Sequence, residues 1–578
     1  MLPRGIAMVE IAPGRQPRIA LSSAARDRDD DAMNPAVAGA ANETTGAGLR
    51  QPDRAELLAR LASTPVWDIA VIGGGATGLG VALDAAARGF SVVLLEAEDF
   101  AKGTSSRATK LVHGGVRYLA QGDLGLVREA LAERRNLLDN AAHLAQPLRF
   151  LMPVYGPRGR WFDKWFYGAG LVAYDLLAGR AGLGRTRFLD RDATVAEIPG
   201  VRSDALAGAV AYWDGIFDDA RLALALARTA IARGACILNH CRVDGLSRRG
   251  GRIDGLDAVD TETGVRHRLE ARCIVNATGV WVDEVRRMDR PAARDIVVPS
   301  QGVHLVVDRS FQPSDRAILV PSTADGRVLF VVPWMGHTIL GTTDTPREDL
   351  AIEPRPFEEE IDFILAESAG YLARAPRRAD VMSMWVGLRP LVRPADGETG
   401  NTRSVSREHT VLVADSGLVT VTGGKWTTYR AMAEDVLAEC FEAGLLPARP
   451  AGATAGLRLA GAPAPGAGAI PISATPGAHL YGLEADELAR LPGAQRELAP
   501  GLTEAMVRFA VRHEYARSVE DVLARRSRLL FIDARAAAAI AAAVGAIMRD
   551  ELGEAFDADA SADAFRELAA HYLPRLDP

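Results

Sequence analysis

The segment "WDIAVIGGGATGLGVALDAAARGFSVVLLEAE", residues 67–98, decides the fold. A short apolar run ends in three glycines, a stretch of small helix-forming residues follows, and a second apolar run closes the segment. A strand, a helix and a strand of these lengths form a βαβ unit, which requires a parallel sheet. The sequence therefore predicts an α/β fold built around this unit.

The glycines have the spacing G-x-G-x-x-G at the strand-to-helix turn, at Gly73, Gly75 and Gly78. The first permits a tight turn, the second lets a pyrophosphate approach the backbone, and the third lets the helix lie close to the strand. The helix N-terminus offers N–H groups and a partial positive charge to phosphates. Glu96 ends the second strand, where an acid accepts hydrogen bonds from ribose hydroxyls. The motif predicts a dinucleotide site but leaves NAD and FAD open.

Two further stretches suit contact with a flat cofactor ring. Residues 103–119, "GTSSRATKLVHGGVRYL", combine hydroxyls for phosphates with glycines that admit close backbone approach. Residues 275–281, "VNATGVW", form a strand-end turn of small residues. A solvated loop and an ordinary turn are the alternatives. The cofactor residues predicted from these stretches are Thr104, Ser105, Ser106, His113, Gly115, Ala277 and Gly279.

Composition excludes several classes of protein. The 578 residues exceed one hydrophobic core, so two or three domains are expected. A net charge of −7 argues against a nucleic-acid-binding protein. The four cysteines show no C-x-x-C spacing, so no metal site is predicted. No secretory signal is visible, and no apolar run reaches the ~20 residues of a membrane-spanning helix.

Several stretches, taken in their order along the chain, resemble one family. They are "IGGGATGLGVALDAAARG", "GTSSRATKLVHGGVRYL", "VNATGVWVD", "GLRPL" and "TGGKWTTYR". The chain is similar to the FAD-dependent glycerol-3-phosphate dehydrogenases of the aerobic, quinone-linked type, closely over about residues 65–440. The resemblance implies a D-amino-acid-oxidase-like α/β fold. An FAD-binding Rossmann-like domain is interleaved there with an antiparallel β-rich substrate domain, and a helical C-terminal domain follows.

The resemblance also implies an activity and its partners. The family oxidises sn-glycerol 3-phosphate to dihydroxyacetone phosphate with FAD and passes the electrons to membrane quinone. Its members attach peripherally to the membrane and commonly form homodimers, so the expected location of this protein is cytoplasmic, at the inner face of the cell membrane. The family's substrate-site residues correspond to Arg117, Arg389 and Lys425. The cofactor-binding set gains Val243, Gly424, Lys425 and Thr427 in the same way.

The chain divides into four predicted segments. Residues 1–62 form a disordered tail, 63–440 the FAD-dependent oxidoreductase, 441–477 a linker and 478–578 the helical C-terminal domain. FAD-binding parts are expected at about 65–145, 200–295 and 380–440. Substrate-domain parts are expected between them, at about 146–199 and 296–379.

The residue types at the substrate positions suit a small phosphate ester. Arginine offers a planar fork for phosphate, and lysine a compact charge. Arg389 lies in the apolar stretch "WVGLRPL", where a structural ion pair is the alternative role. Lys425 opens a helix, where a cation is disfavoured unless an anion binds. Oxidation of the alcohol needs a base with a near-neutral pKa, and the candidates are His113 and His304. The sequence does not decide between them, because His113 can instead support the flavin and His304 can be an ordinary histidine on a β-strand.

Membrane contact and the electron acceptor have competing interpretations. Residues 158–177, "RGRWFDKWFYGAGLVAYDLL", mix basic and aromatic side chains as interfacial segments do, although a core helix has the same pattern. Three other functions stay open: an oxygen-dependent glycerol-3-phosphate oxidase, an FAD-dependent amine oxidase, and a flavin-binding protein without activity. The three cations favour a phosphate substrate over an amino acid.

Overall fold

The computed structural model describes residues 51–115, 124–156, 161–323, 326–393, 409–466 and 468–576, without the side chains of 161–167 and 169. The strands in these ranges are β1 (Trp67–Ile72), β2 (Val92–Leu95), β3 (Leu111–Val112), β4 (Ala145–Tyr155), β5 (Arg187–Leu189), β6 (Leu206–Phe217), β7 (Cys236–Leu238), β8 (Cys241–Arg249), β9 (Arg252–Asp260), β10 (Arg266–Asn276), β11 (Val297–Asp308), β12 (Arg316–Val320), β13 (Leu329–Trp334), β14 (His337–Gly341), β15 (Thr345–Pro346), β16 (Val381–Val392), β17 (His409–Val413), β18 (Leu418–Gly423), β19 (Glu497–Ala499) and β20 (Leu502–Thr503).

The α-helices in the same ranges are α1 (Arg54–Ser63), α2 (Ala76–Ala87), α3 (Leu124–Asn140), α4 (Trp161–Ala178), α5 (Arg191–Glu197), α6 (Asp219–Ala232), α7 (Val282–Asp289), α8 (Glu358–Tyr371), α9 (Tyr429–Glu442), α10 (Ala485–Arg490), α11 (Glu504–His513), α12 (Leu529–Ile532), α13 (Ala534–Leu552) and α14 (Ala558–Ala570). Short 3-10 turns include Thr104–Ser106, Gly279–Trp281 and Trp426–Thr428, and a π-helical turn spans Asp521–Arg526. Among these helices none is both long enough and apolar enough to cross a bilayer.

The first sheet confirms the predicted parallel βαβ unit. β1 pairs in parallel with β2 and with β10, and β7 and β18 extend the parallel set on either side. The central strands are almost wholly buried, as strands covered on both faces must be. Helix α2 connects β1 to β2 and packs against α6 and α9. Strands β8, β9 and β17 join this sheet in antiparallel pairs.

The second sheet is mainly antiparallel and contains β3 to β6 and β11 to β16. The chain enters it repeatedly between visits to the first sheet, which confirms the interleaved architecture. The short strand β3 lies in this sheet although its residues fall in an expected FAD-binding part, and the same is true of the long strands β6 and β16. Both are apolar on both faces, so their sequences fit either sheet. Which of the two sheets each strand joins is decided only by pairing with strands far apart in the sequence.

Helix α1 corrects the disorder predicted as far as residue 62. Asp53 and Glu56 form a capping box, each carboxylate accepting a hydrogen bond from the other residue's backbone N–H, at 2.9 and 2.8 Å. Leu57 and Leu61, one turn apart, are buried in the core of the first sheet. Two buried positions in a charged, alanine-rich segment are too short a periodic pattern to predict a helix. Residues 1–50, for which disorder is also predicted, lie outside the described residues.

The C-terminal domain packs on the second sheet, which confirms the predicted helical domain. Phe509, Leu530 and Val544 of its helices share one core with Trp334 of β13 and Trp385 of β16. The C-terminal helices therefore cover a face of the substrate sheet through a continuous apolar core.

Candidate functional site

The glycine turn between β1 and α2 is packed closely against its neighbours. Gly73 has a φ of +108°, and a β-carbon there would lie 2.7 Å from the carbonyl oxygen of Ala277. A β-carbon on Gly78 would overlap the carbonyl oxygen of Gly73, and one on Gly75 would lie 3.0 Å from Ser105 Oγ. Only glycine lets the helix seat against the strand here, as the predicted dinucleotide motif requires.

Four parallel strands end at the edge that carries this turn. Ile72 of β1 is level with Leu95 of β2 and with Asn276 of β10, and Asn276 is level with Thr420 of β18. Ligands of open α/β sheets bind outside the carboxyl ends of the strands. The structure thus brings several predicted cofactor residues to one edge: Gly73, Gly75, Glu96, Ala277, Gly279 and Gly424.

Glu96 is fixed at the end of β2. Its carboxylate accepts hydrogen bonds from the backbone N–H of Gly74, at 2.6 Å, and of Glu98, at 2.9 Å. Burial raises the pKa of the Glu96 carboxyl, against these two hydrogen bonds. The N–H of Cys241 donates to the Glu96 carbonyl oxygen at 2.8 Å. The start of β8, which carries the buried Val243, is therefore close to this acid.

Loop 103–115 links the glycine turn to the second sheet. Ser105 Oγ accepts a hydrogen bond from Ala76 N in the first turn of α2, at 2.9 Å. The Ser105 carbonyl oxygen accepts one from Trp426 Nε1, at 2.8 Å. Thr104 Oγ1 donates to the carbonyl oxygen of Leu388 in β16, at 2.6 Å. The predicted hydroxyl residues thus tie this loop to both sheets.

The far end of the loop meets the segments after β10 and β18. The N–H of His113 donates to Thr427 Oγ1 at 3.3 Å, and Thr422 Oγ1 donates to the Gly279 carbonyl oxygen at 3.1 Å. Gly115 and Gly279 have φ of +79° and +64°, the left-handed region that glycine favours. The predicted ring-contacting segments therefore converge around the end of β18.

Arg389 is held in place by the strands around it. Its guanidinium donates to the carbonyl oxygens of Gln301, at 3.0 Å, and Thr343, at 2.9 Å. It also lies 3.3 Å from Asp344 Oδ1, while a quarter of its side chain (25 %) is exposed. A β-carbon on Gly302 would overlap it, so that glycine makes room for the fork. A positioned, partly exposed guanidinium can bind an anion, in addition to the ion pair with Asp344.

His304 lies two residues beyond Gly302 on β11, on the same face as the Arg389 guanidinium. Its Nε2 is 2.9 Å from Thr109 Oγ1, and its ring stacks on Trp385 with centroids 5.0 Å apart. Burial, with the nearby positive charges of Lys110 and Arg389, holds the pKa of His304 well below 6.5. The neutral imidazole is therefore favoured, and it is a weaker base than the near-neutral histidine expected from the sequence.

Of the other two predicted substrate residues, Lys425 is among the described residues and Arg117 is not. Lys425 is partly buried between β18 and the turn Trp426–Thr428. Because β16 and β18 contact each other, Lys425 and Arg389 lie on neighbouring elements. Arg117 lies outside the described residues, and so do the aromatic side chains at the start of α4.

Sequence reasoning missed the residues behind His304. Thr109 and Lys110 stand inside the quoted stretch 103–119, but the site residues predicted from it are its hydroxyls at 104–106, His113, Gly115 and Arg117. Asp219 and Arg528, which contact Lys110 or its neighbours, come from distant parts of the chain. The signal available was a lysine next to an apolar strand, and a pair of acids at residues 218–219.

The described residues fit an FAD molecule. A flavin dinucleotide needs a pyrophosphate site at a helix N-terminus, an acid for the ribose, and a backbone-lined slot for the ring. The glycine turn, whose space a β-carbon would fill, supplies the pyrophosphate site, and Glu96 is the acid for the ribose. The converging glycine segments supply the slot for the ring. Fold and site together define a dinucleotide-dependent oxidoreductase.

Comparison with known proteins gives the family. A family model described as FAD dependent oxidoreductase matches residues 68–430, and one described as the C-terminal domain of alpha-glycerophosphate oxidase matches residues 454–558. A probable mitochondrial glycerol-3-phosphate dehydrogenase of Caenorhabditis elegans is 40% identical over 87% of this chain and 73% of its own. The mitochondrial glycerol-3-phosphate dehydrogenase of Homo sapiens is also 40% identical, over 84% of this chain and 70% of the human protein. The chain belongs to the FAD-dependent glycerol-3-phosphate dehydrogenase family, and FAD is its cofactor.

A solved structure agrees with this assignment. The glycerol-3-phosphate dehydrogenase of Bacillus halodurans, complexed with FAD, superposes with a TM-score of 0.71 at 29% identity. The match covers 91% of this chain and 98% of that one, so it includes the C-terminal domain.

Proposed function

We propose that this protein oxidises sn-glycerol 3-phosphate to dihydroxyacetone phosphate and passes the electrons to membrane quinone. The observation that carries the proposal is Arg389, a partly exposed guanidinium held by strand carbonyls, next to Leu388, whose carbonyl oxygen accepts from Thr104 of loop 103–115. The relatives named above as glycerol-3-phosphate dehydrogenases support the same substrate. Peripheral attachment to the inner face of the cell membrane and a homodimer belong to the proposal.

The residues divide the work between binding and chemistry. Arg389 binds the phosphate as a fork, and Arg117 and Lys425 add the positive charge that a dianion requires. FAD, when bound, would accept the hydride, one proton with two electrons, that leaves C2 of the substrate. The glycine turn and Glu96 hold its pyrophosphate and ribose. The remaining task, removal of the C2 hydroxyl proton, falls to a histidine.

We assign the base to His304 rather than His113. The neutral His304 accepts the proton at Nε2, the nitrogen beside the partly exposed hydroxyl of Thr109. Bound phosphate offsets the charge of Arg389, one of the two charges that depress the pKa of His304, so the pKa rises when substrate binds. His113 instead lies at the ring slot, where its backbone bonds Thr427.

The pH dependence of kcat/KM tests this assignment. The base must be deprotonated in the free enzyme, and the pKa of His304 lies well below 6.5. We therefore expect kcat/KM to stay level as the pH falls to 6.5 and to drop only below it. The measurement is kcat/KM between about pH 5 and 8 with an artificial electron acceptor. The variant His113→Asn should show the same fall of kcat/KM on the acidic side. A fall centred above pH 6.5 contradicts His304 as the base.

Anaerobic absorbance at the oxidised-flavin band tests the substrate. We expect sn-glycerol 3-phosphate to bleach the purified holoprotein, because electrons pass from the substrate to the flavin. Glycine and sarcosine should leave the protein yellow. Bleaching by glycine instead makes the protein an amine oxidase. A protein that stays yellow with all three compounds contradicts the substrate assignment and supports a flavin-binding protein without activity.

Oxygen is the second candidate acceptor, because the C-terminal match is to a domain of alpha-glycerophosphate oxidase. Turnover in air without quinone separates the two acceptors. A dehydrogenase yields little hydrogen peroxide and reduces added quinone, whereas an oxidase yields one peroxide for each substrate molecule oxidised.

A further inference from the structure

Four charged side chains are buried together beneath loop 103–115. They are Lys110, Asp218, Asp219 and Arg528, each 0 % exposed. Lys110 Nζ lies 2.7 Å from Asp219 Oδ2, and Arg528 Nη2 lies 3.1 Å from Asp219 Oδ1. Arg528 Nε lies 3.6 Å from Asp218 Oδ1. Two positive and two negative charges balance in this buried ion group, as burial of charge requires.

Arg528 comes from a different domain than the other three. It follows the π-helical turn and precedes α12, inside the residues that match the C-terminal domain model. Its backbone φ is +64°, a left-handed conformation that residues other than glycine seldom adopt. Its guanidinium lies 4.1 Å from the ring centroid of Phe531. The C-terminal domain thus inserts a charged side chain, on an unusual backbone, into the oxidoreductase domain.

The Ser106 carbonyl oxygen is where the buried ion group meets loop 103–115. It accepts hydrogen bonds from Lys110 Nζ, at 2.7 Å, and from Arg528 Nη2, at 2.8 Å. The preceding residue, Ser105, bonds the first turn of α2 through its hydroxyl. The arginine of the C-terminal domain is therefore one residue away from the group that touches the pyrophosphate end of the site.

We propose that Arg528 is a positioning residue for FAD. By holding the Ser106 carbonyl, it keeps Thr104 and Ser105 in the conformation that receives the dinucleotide. The C-terminal domain therefore contributes to cofactor retention. This role does not depend on which substrate is oxidised, because it concerns FAD binding alone.

Arg528→Met tests the proposal, since methionine keeps the apolar stem and removes the charge and the donors. Deflavinated full-length protein is titrated with FAD, and flavin fluorescence gives the Kd. We expect the Kd to rise about 10-fold, the lower end of what a hydrogen bond to a charged group contributes. Once saturated with FAD, the variant should show an unchanged KM for sn-glycerol 3-phosphate. Arg528→Lys, which keeps the charge, should recover part of the affinity.

Two further variants separate positioning from general destabilisation. Arg508→Met removes an arginine whose partners, Glu504 and Glu551, are internal to the C-terminal domain, so FAD affinity should not change. Asp218→Asn combined with Arg528→Met restores the charge balance without restoring a donor to Ser106. It should recover the melting temperature but not the FAD affinity, and it serves as the test if Arg528→Met fails to fold. Wild-type FAD affinity in Arg528→Met or in the double variant, or equal weakening in Arg508→Met, overturns the proposal.

Discussion

Arg389→Met is expected to lower kcat/KM for sn-glycerol 3-phosphate by about 10²- to 10³-fold, as loss of one partner from a buried charged pair does. Methionine has a similar length but no donor, so the phosphate loses the fork that Gln301 and Thr343 hold in place. The phosphate does not react, so most of the loss should appear in KM. Steady-state kinetics with an artificial acceptor measure both constants.

Two other variants define what that result means. Arg374→Met removes an exposed arginine of the same domain, one that lies over Phe311, and should leave kcat/KM within about 3-fold of wild type. Arg389→Lys keeps the charge without the fork and should fall between the two. FAD content should be equal in all three proteins. A small effect of Arg389→Met on kcat/KM, with FAD retained, would mean that Arg389 serves the ion pair with Asp344 and not the substrate.

The parts of the site that depend on local chemistry could be predicted from sequence. The glycine turn could be predicted from three glycines between a strand and a helix, because its closest approach, between Gly78 and the carbonyl oxygen of Gly73, lies within the motif. Glu96 follows from its position at the end of the next strand. Loop 103–115 was found through its hydroxyls and glycines. These features are short in sequence, so their physics is contained in the segments that carry them.

The missing parts depend on pairing between distant segments. β6 and β16 are apolar on both faces, and only their partners β4 and β11 decide which sheet they join. Lys110 is a site residue because Arg528, more than 400 positions away, donates to the same carbonyl oxygen. The turn that presents Arg528 has a left-handed backbone at a residue that is not glycine, which no local pattern indicates. Arg389 of β16 and His304 of β11 were predicted individually, but only the register of these two strands places them on one face of the sheet.

Gly78→Ala is expected to leave a protein that purifies without FAD, with a Kd for FAD raised about 100-fold, near the upper cost of forcing a methyl group into packed structure. The new β-carbon would overlap the carbonyl oxygen of Gly73, which is backbone and cannot rotate away. Helix α2 must therefore move from β1, and its N-terminus moves from the pyrophosphate. Flavin absorbance relative to protein absorbance, followed by titration with FAD, measures both effects.

Gly370→Ala is the matched control for that result. Gly370 also lies in a helix, α8, but a β-carbon there meets no atom within 4 Å. The variant should bind FAD normally and melt at or above the wild-type temperature, because alanine favours a helix by about 1 kcal/mol over glycine. Comparing the two variants separates the effect of the overlap with Gly73 from the effect of replacing a helical glycine by alanine. If Gly78→Ala instead purifies with a full complement of FAD, the close seat of α2 against β1 is not what binds the cofactor.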